Sequence, residues 1–326
     1  MSASIPAWLR RYLPQLFILL LFALLIAWLG HNALEAMRAR GIRAGFDFLL
    51  QPAGFEISES LLDYDASQSL WRAFVVGLLN SLRAALPAIV LASLLGTALG
   101  IGRLSTHTIT RRICGLIIET VRNIPLLLQL LMIYFTLSNL LPDAEAAIHL
   151  LPGVLLARSG LFMPVLDCAA GCHWQLPEVA GFGVEGGWSL SPEYLAVLLT
   201  LSVYGAVFIA EIVRGGILAV PDGQLDAARA LGMRPGQVMR YVTLPLALRS
   251  IVPPLGNQYL NLIKNSSLAV AVGYPDLVSI SNTALNQSGR AFECIVVVMA
   301  SYLSLSLLTA VLLNLFNARI ALRGEA

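Results

Sequence analysis

Residues 224–245 read QLDAARALGMRPGQVMRYVTLP, a polar segment set between two long apolar runs. That setting places it at a membrane face. The stretch Gln224–Leu231 is rich in Ala, Leu and Arg, which favour helix. Gly232 suits a helix C-terminus, where a left-handed backbone costs a residue without a Cβ nothing. Pro235 suits the first turn of a second helix, where its missing N–H is not needed, and Pro245 is expected to end that helix. Ala227 and Ala228 leave one face of the first helix nearly bare, so that another protein could approach its backbone. The plain alternative is an ordinary amphipathic loop.

Working outward, the 326 residues are 57% hydrophobic and only 12% charged, with a mean hydropathy of +0.77. Soluble domains carry roughly twice that charged fraction, and repeated apolar runs of about 20 residues mark membrane-spanning helices. The expected class is an all-α membrane protein with about six spans: Leu13–Leu29, Ala73–Gly102, Ile113–Leu140, Tyr194–Ile217, Leu248–Val272 and Ala291–Asn317. The first is read as a retained helix rather than a cleaved signal peptide, since no small-x-small site follows it. In domain terms, residues 1–71 are an N-terminal span and external loop. Residues 72–317 form the main membrane domain, with an external insert at 141–192 and the polar loop within 215–247, and 318–326 are a tail. The loop His31–Trp71 leaves room for a surface helix. Within the insert, Ile148–Leu166 reads as a short re-entrant or surface piece. Gly96, Gly100 and Gly102 are small residues of the kind that let membrane helices pack closely.

Arginines cluster at Arg10 and Arg11, across Arg103–Arg112, across Arg214–Arg249, and at Arg319 and Arg323. With six spans these regions fall on one side, so both termini and the polar loop are expected to be cytoplasmic. Arg38, Arg40 and Arg43 run against the trend, but in a long loop, where such charges weigh less. The net charge of +2 and the absence of a basic run with interleaved aromatics set nucleic acid aside. Lysine occurs once, at Lys264, and the preceding Leu260, Asn261, Leu262 and Ile263 hold no glycine. A P-loop needs GxxxxGK[ST], so this chain has no nucleotide-cradling site of that kind.

Polar groups at membrane depth need a reason. Asn257, Asn261, Lys264 and Asn265, followed by Ser266 and Ser267, are spaced to share a face of the fifth span, and Pro253 and Pro254 are expected to kink its start. Two readings fit: a stripe lining a translocation path, or hydrogen bonds that hold the bundle together, with Lys264 paired to Glu119, Glu211 or Glu293. Glu119 and Arg122, and Glu211 and Arg214, are i,i+3 pairs near the cytoplasmic side and are read as structural ion pairs. Arg83 lies toward the outer end of its span, where it can snorkel. Tyr204 shares a face with Glu211 and is a candidate for the same path. Cys168-x3-Cys172-His173 admits a metal, a disulfide or unpaired small side chains. No fourth ligand stands nearby, no metal is assigned, and an external position favours a disulfide over metal. No catalytic constellation stands out.

The loop pattern, an acidic residue, Ala-Ala, Gly and a later Leu-Pro (Asp226, Ala227, Ala228, Gly232, Leu244, Pro245), resembles the "EAA" loop of ABC importer permeases, with Asp226 where that family usually has Glu. GLLNSLRAALPAIVLASLLGTALGIGRLS, ETVRNIPLLLQLLMIYF and AEIVRGGILAVPDGQ resemble the amino-acid, histidine/glutamine branch. QYLNLIKNSSLAVAVGYPDL and NQSGRAFE are similar to permeases of general L-amino-acid importers. The resemblance spans about Gly77 to Ala321 apart from Leu141–Pro177, and the chain looks trimmed in that insert. It implies a type I permease fold in a bacterial inner membrane, and two ATPase subunits that hold the ATP and magnesium while this chain binds no cofactor. It also implies a periplasmic binding protein and a second permease subunit, more often different than identical. The loop would be the coupling helix seated on the ATPase. The competing classes are an ion-coupled secondary carrier using Lys264 or Glu211, for which no inverted repeat is evident, and a membrane-embedded enzyme.

Overall fold

The computed structural model describes residues 7–39, 45–168, 172–181 and 183–322. Arg40, Arg43 and Arg323, counted above, lie outside the described residues, as does the end of the tail. The helices in order are α1 (Ala7–Ala39), α2 (Leu70–Arg103), α3 (Thr108–Asn123), α4 (Leu126–Leu140), α5 (Pro192–Leu218), α6 (Asp222–Ala230), α7 (Pro235–Val238), α8 (Leu244–Asn265), α9 (Leu277–Ser288) and α10 (Ala291–Leu322). Among the described residues, α1, α2, α5 and α10 contain stretches long and apolar enough to cross a membrane, and the α3–α4 pair adds a fifth if it is one broken span. With 22 residues α8 is roughly 33 Å long at 1.5 Å per residue. Its asparagines, glutamine and prolines dilute its hydropathy.

The bundle is built around α5. Of its most apolar window 61% is buried, against none for α1 and 6% for α10. Small residues explain how α2 lies against it. A Cβ on Gly96 would meet the Ala206 carbonyl oxygen at 2.6 Å, one on Gly100 the Ala210 oxygen at 2.7 Å, and one on Gly205 the Ala92 methyl at 2.8 Å. With lipid as apolar as the helices, it is this close backbone approach that favours the pair.

Five expectations need correction. The third span is not one helix: α3 and α4 meet at a 103° bend at Ile124 and Pro125. Proline disfavours helical backbone in the residue before it, and α3 has a polar face unsuited to lipid. Pro245 does not end a helix. A π-helical turn at Met239–Thr243 joins α7 to α8, with the Leu244 N–H bonding back five residues to Met239 O. The widened turn takes up the proline in the first turn of α8. The fifth span then changes to a 3₁₀ segment, Ser266–Val272, and the sixth, α10, continues helical to Leu322, well into the expected tail. Lastly, Ile148–Leu166, expected as a re-entrant or surface piece, is built of short strands that follow a 3₁₀ turn at Ala144–Ala146. The described residues of the insert hold eight short strands: β1 (Ile148–Leu151), β2 (Val154–Ala157), β3 (Gly160–Met163), β4 (Val165–Asp167), β5 (His173–Gln175), β6 (Glu178–Ala180), β7 (Gly183–Glu185) and β8 (Trp188–Leu190). They form an antiparallel sheet in the order β1-β2-β3-β8, with β4–β5 and β6–β7 as separate hairpins.

The loop after α1 carries a 3₁₀ turn, Asp47–Leu50, and packs on the start of α2 and on α9. Phe48 joins Leu70, Phe74, Leu277 and Ile280 in a second core. Arg290 reaches Asp47 at 3.2 Å and the Gly45 carbonyl at 2.8 Å. Arg83 does not snorkel: it pairs with Glu59 of this loop at 3.0 Å and lies 4.8 Å from the Tyr194 ring centre. The loop covers most of the guanidinium, and a carboxylate meets it there.

Candidate functional site: a hairpin, a rod and an open polar stripe

The hairpin begins at Asp222, earlier than expected, and α6 is closed by two bonds, from the Met233 N–H to Ala228 O (3.2 Å) and from the Gly232 N–H to Arg229 O (2.9 Å). This pairing needs a left-handed residue after the cap, and Gly232 sits at φ +76° with open space around it. Its role is therefore backbone conformation, not close packing. Pro235 starts α7, where Gln237 Oε1 accepts from the Arg234 N–H at 2.8 Å. Asp226 pairs with Arg229 at 2.9 Å on the exposed face.

The two alanines do not form one bare outer face. Ala228 is turned inward at 4% exposure, while Ala227 faces out. Successive helical positions lie about 100° apart, so one alanine packs and the other presents. Sequence reasoning passed over Leu231, 81% exposed at the tip, and Tyr241, also exposed. A leucine at a helix end with no core to enter was the available signal. A cleft of about 370 Å³ lined by Ile217, Leu225, Met233 and Val238 lies between the hairpin and the end of α5.

From α7 the backbone stays helical through the π turn and α8 to Asn265, about 46 Å over these 31 residues at 1.5 Å each. On α8, Pro253, Asn257, Asn261 and Lys264 are all exposed, at spacings that put them on one face. Lys264 forms no ion pair with Glu119, Glu211 or Glu293 among the described residues. Those carboxylates are engaged elsewhere: Glu119 and Glu211 with Arg103, and Glu293, buried, accepts the Gly45 N–H at 2.9 Å. Asn265 departs from the stripe. It turns partly inward, beside Thr200, Leu130 and Leu201. Tyr204 is not with the stripe either. Its ring packs 4.8 Å from Phe208, which in turn lies under Arg122 of α3. By contrast α8 meets α5 through Leu262 on Gly205 and Ile251 on Gly216.

Near the C-terminal end of α5 the expected Glu211–Arg214 pair forms, while the expected Glu119–Arg122 pair is rearranged. Glu119 pairs with Arg103 at 2.8 Å, not with Arg122, whose guanidinium lies 5.3 Å from the Phe208 ring centre. Arg103 also reaches Glu211 at 2.7 Å, and Glu211 holds Arg214 at 2.9 Å. Arg103 lies one residue past Gly102, the expected end of the second span. It is the last residue of α2 and bridges two other helices. In the insert, Cys168 and Cys172 are bonded to each other, which leaves neither sulfur as a thiolate ligand for a metal.

A bundle whose described helices include four long and apolar enough to cross a membrane, with an exposed helical hairpin and an open polar stripe on the helix that follows it, has the form of a membrane transport component. The structure of an amino acid ABC transporter with histidines matches at a TM-score of 0.58 and 27% identity, over 76% of this chain and 94% of that one. The methionine ABC transporter MetNI in an inward-facing conformation matches in fold at 0.54 and 19% identity, over 77% and 97%. The chain belongs to the family of binding-protein-dependent transport system inner membrane components, which matches residues 88–322. It is 36% identical to the general L-amino acid transport system permease protein AapQ of Rhizobium johnstonii, over 96% of this chain and 92% of that protein. It is 33% identical to the glutamate/glutamine/aspartate/asparagine transport system permease protein BztB of Rhodobacter capsulatus, over 96% and 94%.

Proposed function

We propose that this chain is the permease subunit of an ATP-driven, binding-protein-dependent importer of general or polar L-amino acids, working by alternating access. The observation that carries the reading is the unbroken helical rod joining the hairpin to the polar stripe. Asp226, Ala227, Leu231 and the hairpin backbone held by Gly232 are the surface a separate ATPase grips. Leu244 and Pro245 lie at the joint where the π turn enters α8. Making either access state dominant takes several kcal/mol of bias, and a packed helix transmits such a bias where a loose loop would not. Asn257, Asn261 and Lys264 line the path, because three uncompensated polar side chains facing lipid would be costly. The remaining members are a periplasmic binding protein, a second permease chain, more often a different one, and ATPase subunits that hold the ATP and magnesium. Both termini lie in the cytoplasm.

The test is purification of the intact complex from native membrane, followed by uptake of a panel of amino acids into proteoliposomes. Uptake is expected only with the ATPase, the binding protein and ATP present. Uptake by the isolated polypeptide driven by an ion gradient would establish the secondary-carrier reading instead.

A further inference from the structure

α3 carries three distinct faces. Cys114, Ile118 and Val121 form one, on which Ile118 is fully buried against Val207 and Ala210 of α5. Ile109, Ile113 and Leu116 form a second, exposed and apolar, with Leu116 68% exposed. Arg111, Arg112, Gly115 and Glu119 form the third, along one side of a groove of about 500 Å³ closed by Arg103, Leu104 and Arg214. The 103° bend at Ile124 and Pro125 turns α3 across the direction of the apolar α4. A helix of this kind lies along a membrane surface with its apolar side in the acyl region.

The charges in the groove are not balanced. Arg103 and Arg214 are answered by Glu119 and Glu211, while neither Arg111 nor Arg112 has a carboxylate partner among the described residues. A guanidinium offers a planar fork that matches phosphate oxygens, and basic pockets beside membrane helices at a cytoplasmic face hold anionic head groups. The unanswered arginines sit next to the apolar face, the order in which a phospholipid presents its phosphate and its chains.

We propose that this groove binds the phosphate head group of an anionic phospholipid, held by Arg111 and Arg112, with the acyl chains along Ile109, Ile113 and Leu116. The lipid would fasten α3 to the bilayer beside the Arg103–Glu211 contact. The inference does not depend on which substrate is carried.

The experiment is native mass spectrometry of the intact complex in nanodiscs of phosphatidylcholine mixed with phosphatidylglycerol, followed by gentle delipidation. The wild type is expected to retain phosphatidylglycerol in preference to phosphatidylcholine. Arg111→Gln/Arg112→Gln should lower that retention roughly thirtyfold, from about 1 kcal/mol for each arginine near the surface. Arg111→Lys/Arg112→Lys, which keeps the charge but loses the fork, should fall between the two, and Arg249→Gln, outside the groove, should leave retention unchanged. Equal retention by the double glutamine variant, or equal retention of phosphatidylcholine, would overturn the proposal. So would displacement of the lipid by millimolar inorganic phosphate, which marks a free-anion site. Loss of a co-purifying ATPase from the glutamine variant with lipid retention unchanged would assign the groove to an acidic protein surface instead.

Discussion

Arg103, the last residue of α2, donates to Glu211 of α5 at 2.7 Å, joining by charge the two helices that Gly96 and Gly100 join by contact. The arginine side chain is 24% exposed and that of Glu211 21%, whereas Glu119, the other partner of Arg103, is 65% exposed. Exposed pairs are worth about 0–1 kcal/mol, and breaking a buried one costs about 3–5 kcal/mol.

The Arg103–Glu211 pair should fall between these limits. Arg103→Gln is expected to destabilise the purified complex by about 2 kcal/mol, while Glu119→Gln costs under about 0.5 kcal/mol. A double-mutant cycle on thermal unfolding reads the coupling. Additive effects of Arg103→Gln and Glu211→Gln would show that the contact carries no stability.

At the hairpin, Gly232→Ala forces a Cβ into left-handed backbone at about 1–2 kcal/mol, and Gly232→Pro also removes the N–H that bonds Arg229 O. Ala228→Glu sets a carboxylate at a buried position. Uptake is expected to fall modestly for alanine and to vanish for the proline and glutamate variants, with the protein still in the membrane and its association with the ATPase weakened. Normal uptake with Ala228→Glu would end the coupling reading.

On the open stripe, Lys264→Gln and Asn261→Leu remove groups with no partner among the described residues. Stability is expected to stay within about 0.5 kcal/mol of wild type, as for surface changes away from special features. Uptake should drop several-fold. A loss of stability with unchanged uptake, measured by unfolding and transport side by side, would return these residues to a bundle-holding role.

Asp276, in the connector before α9, caps that helix by accepting from the Ser279 N–H at 2.8 Å. Burial pushes its carboxyl up to about 7 from an ordinary 3.8. Between those values the folded chain holds a proton that the unfolded chain has released. Stability is therefore highest at the acid end of that window, falls as pH rises toward 7 and is level above it. Asp276→Asn keeps a side-chain oxygen at the cap and removes the charge. It should raise the unfolding temperature at pH 8 and flatten its dependence on pH between about 4 and 7. A variant no more stable than wild type at pH 8 would show that the buried carboxylate carries no penalty.

Much of this was legible in the chain because it depends on local pattern. Apolar run length announced α1, α2, α5 and α10, the single lysine excluded a P-loop, and Gly232 and Pro235 marked the hairpin, since a left-handed cap and a first-turn proline are requirements of neighbouring backbone. Position 124 was misread because a bend between two apolar segments looks like a continuous run until the polar side of α3 is weighed. The short strands of the insert were missed because each is only three or four residues long, too short for alternation to stand out.

By itself the sequence determined the membrane class, the hairpin's position and chemistry, and the polar character of the eighth helix, because each rests on spacing within a few turns of chain. Only the tertiary structure decided that Arg103 takes both Glu119 and Glu211, that Arg83 is roofed by Glu59, that Ala228 points in while Ala227 points out, and that Lys264 stays open. Those outcomes depend on which helices lie side by side. Charged groups compete for partners by distance in space, and residues 108 apart in the chain become neighbours only once the small faces of α2 and α5 have closed.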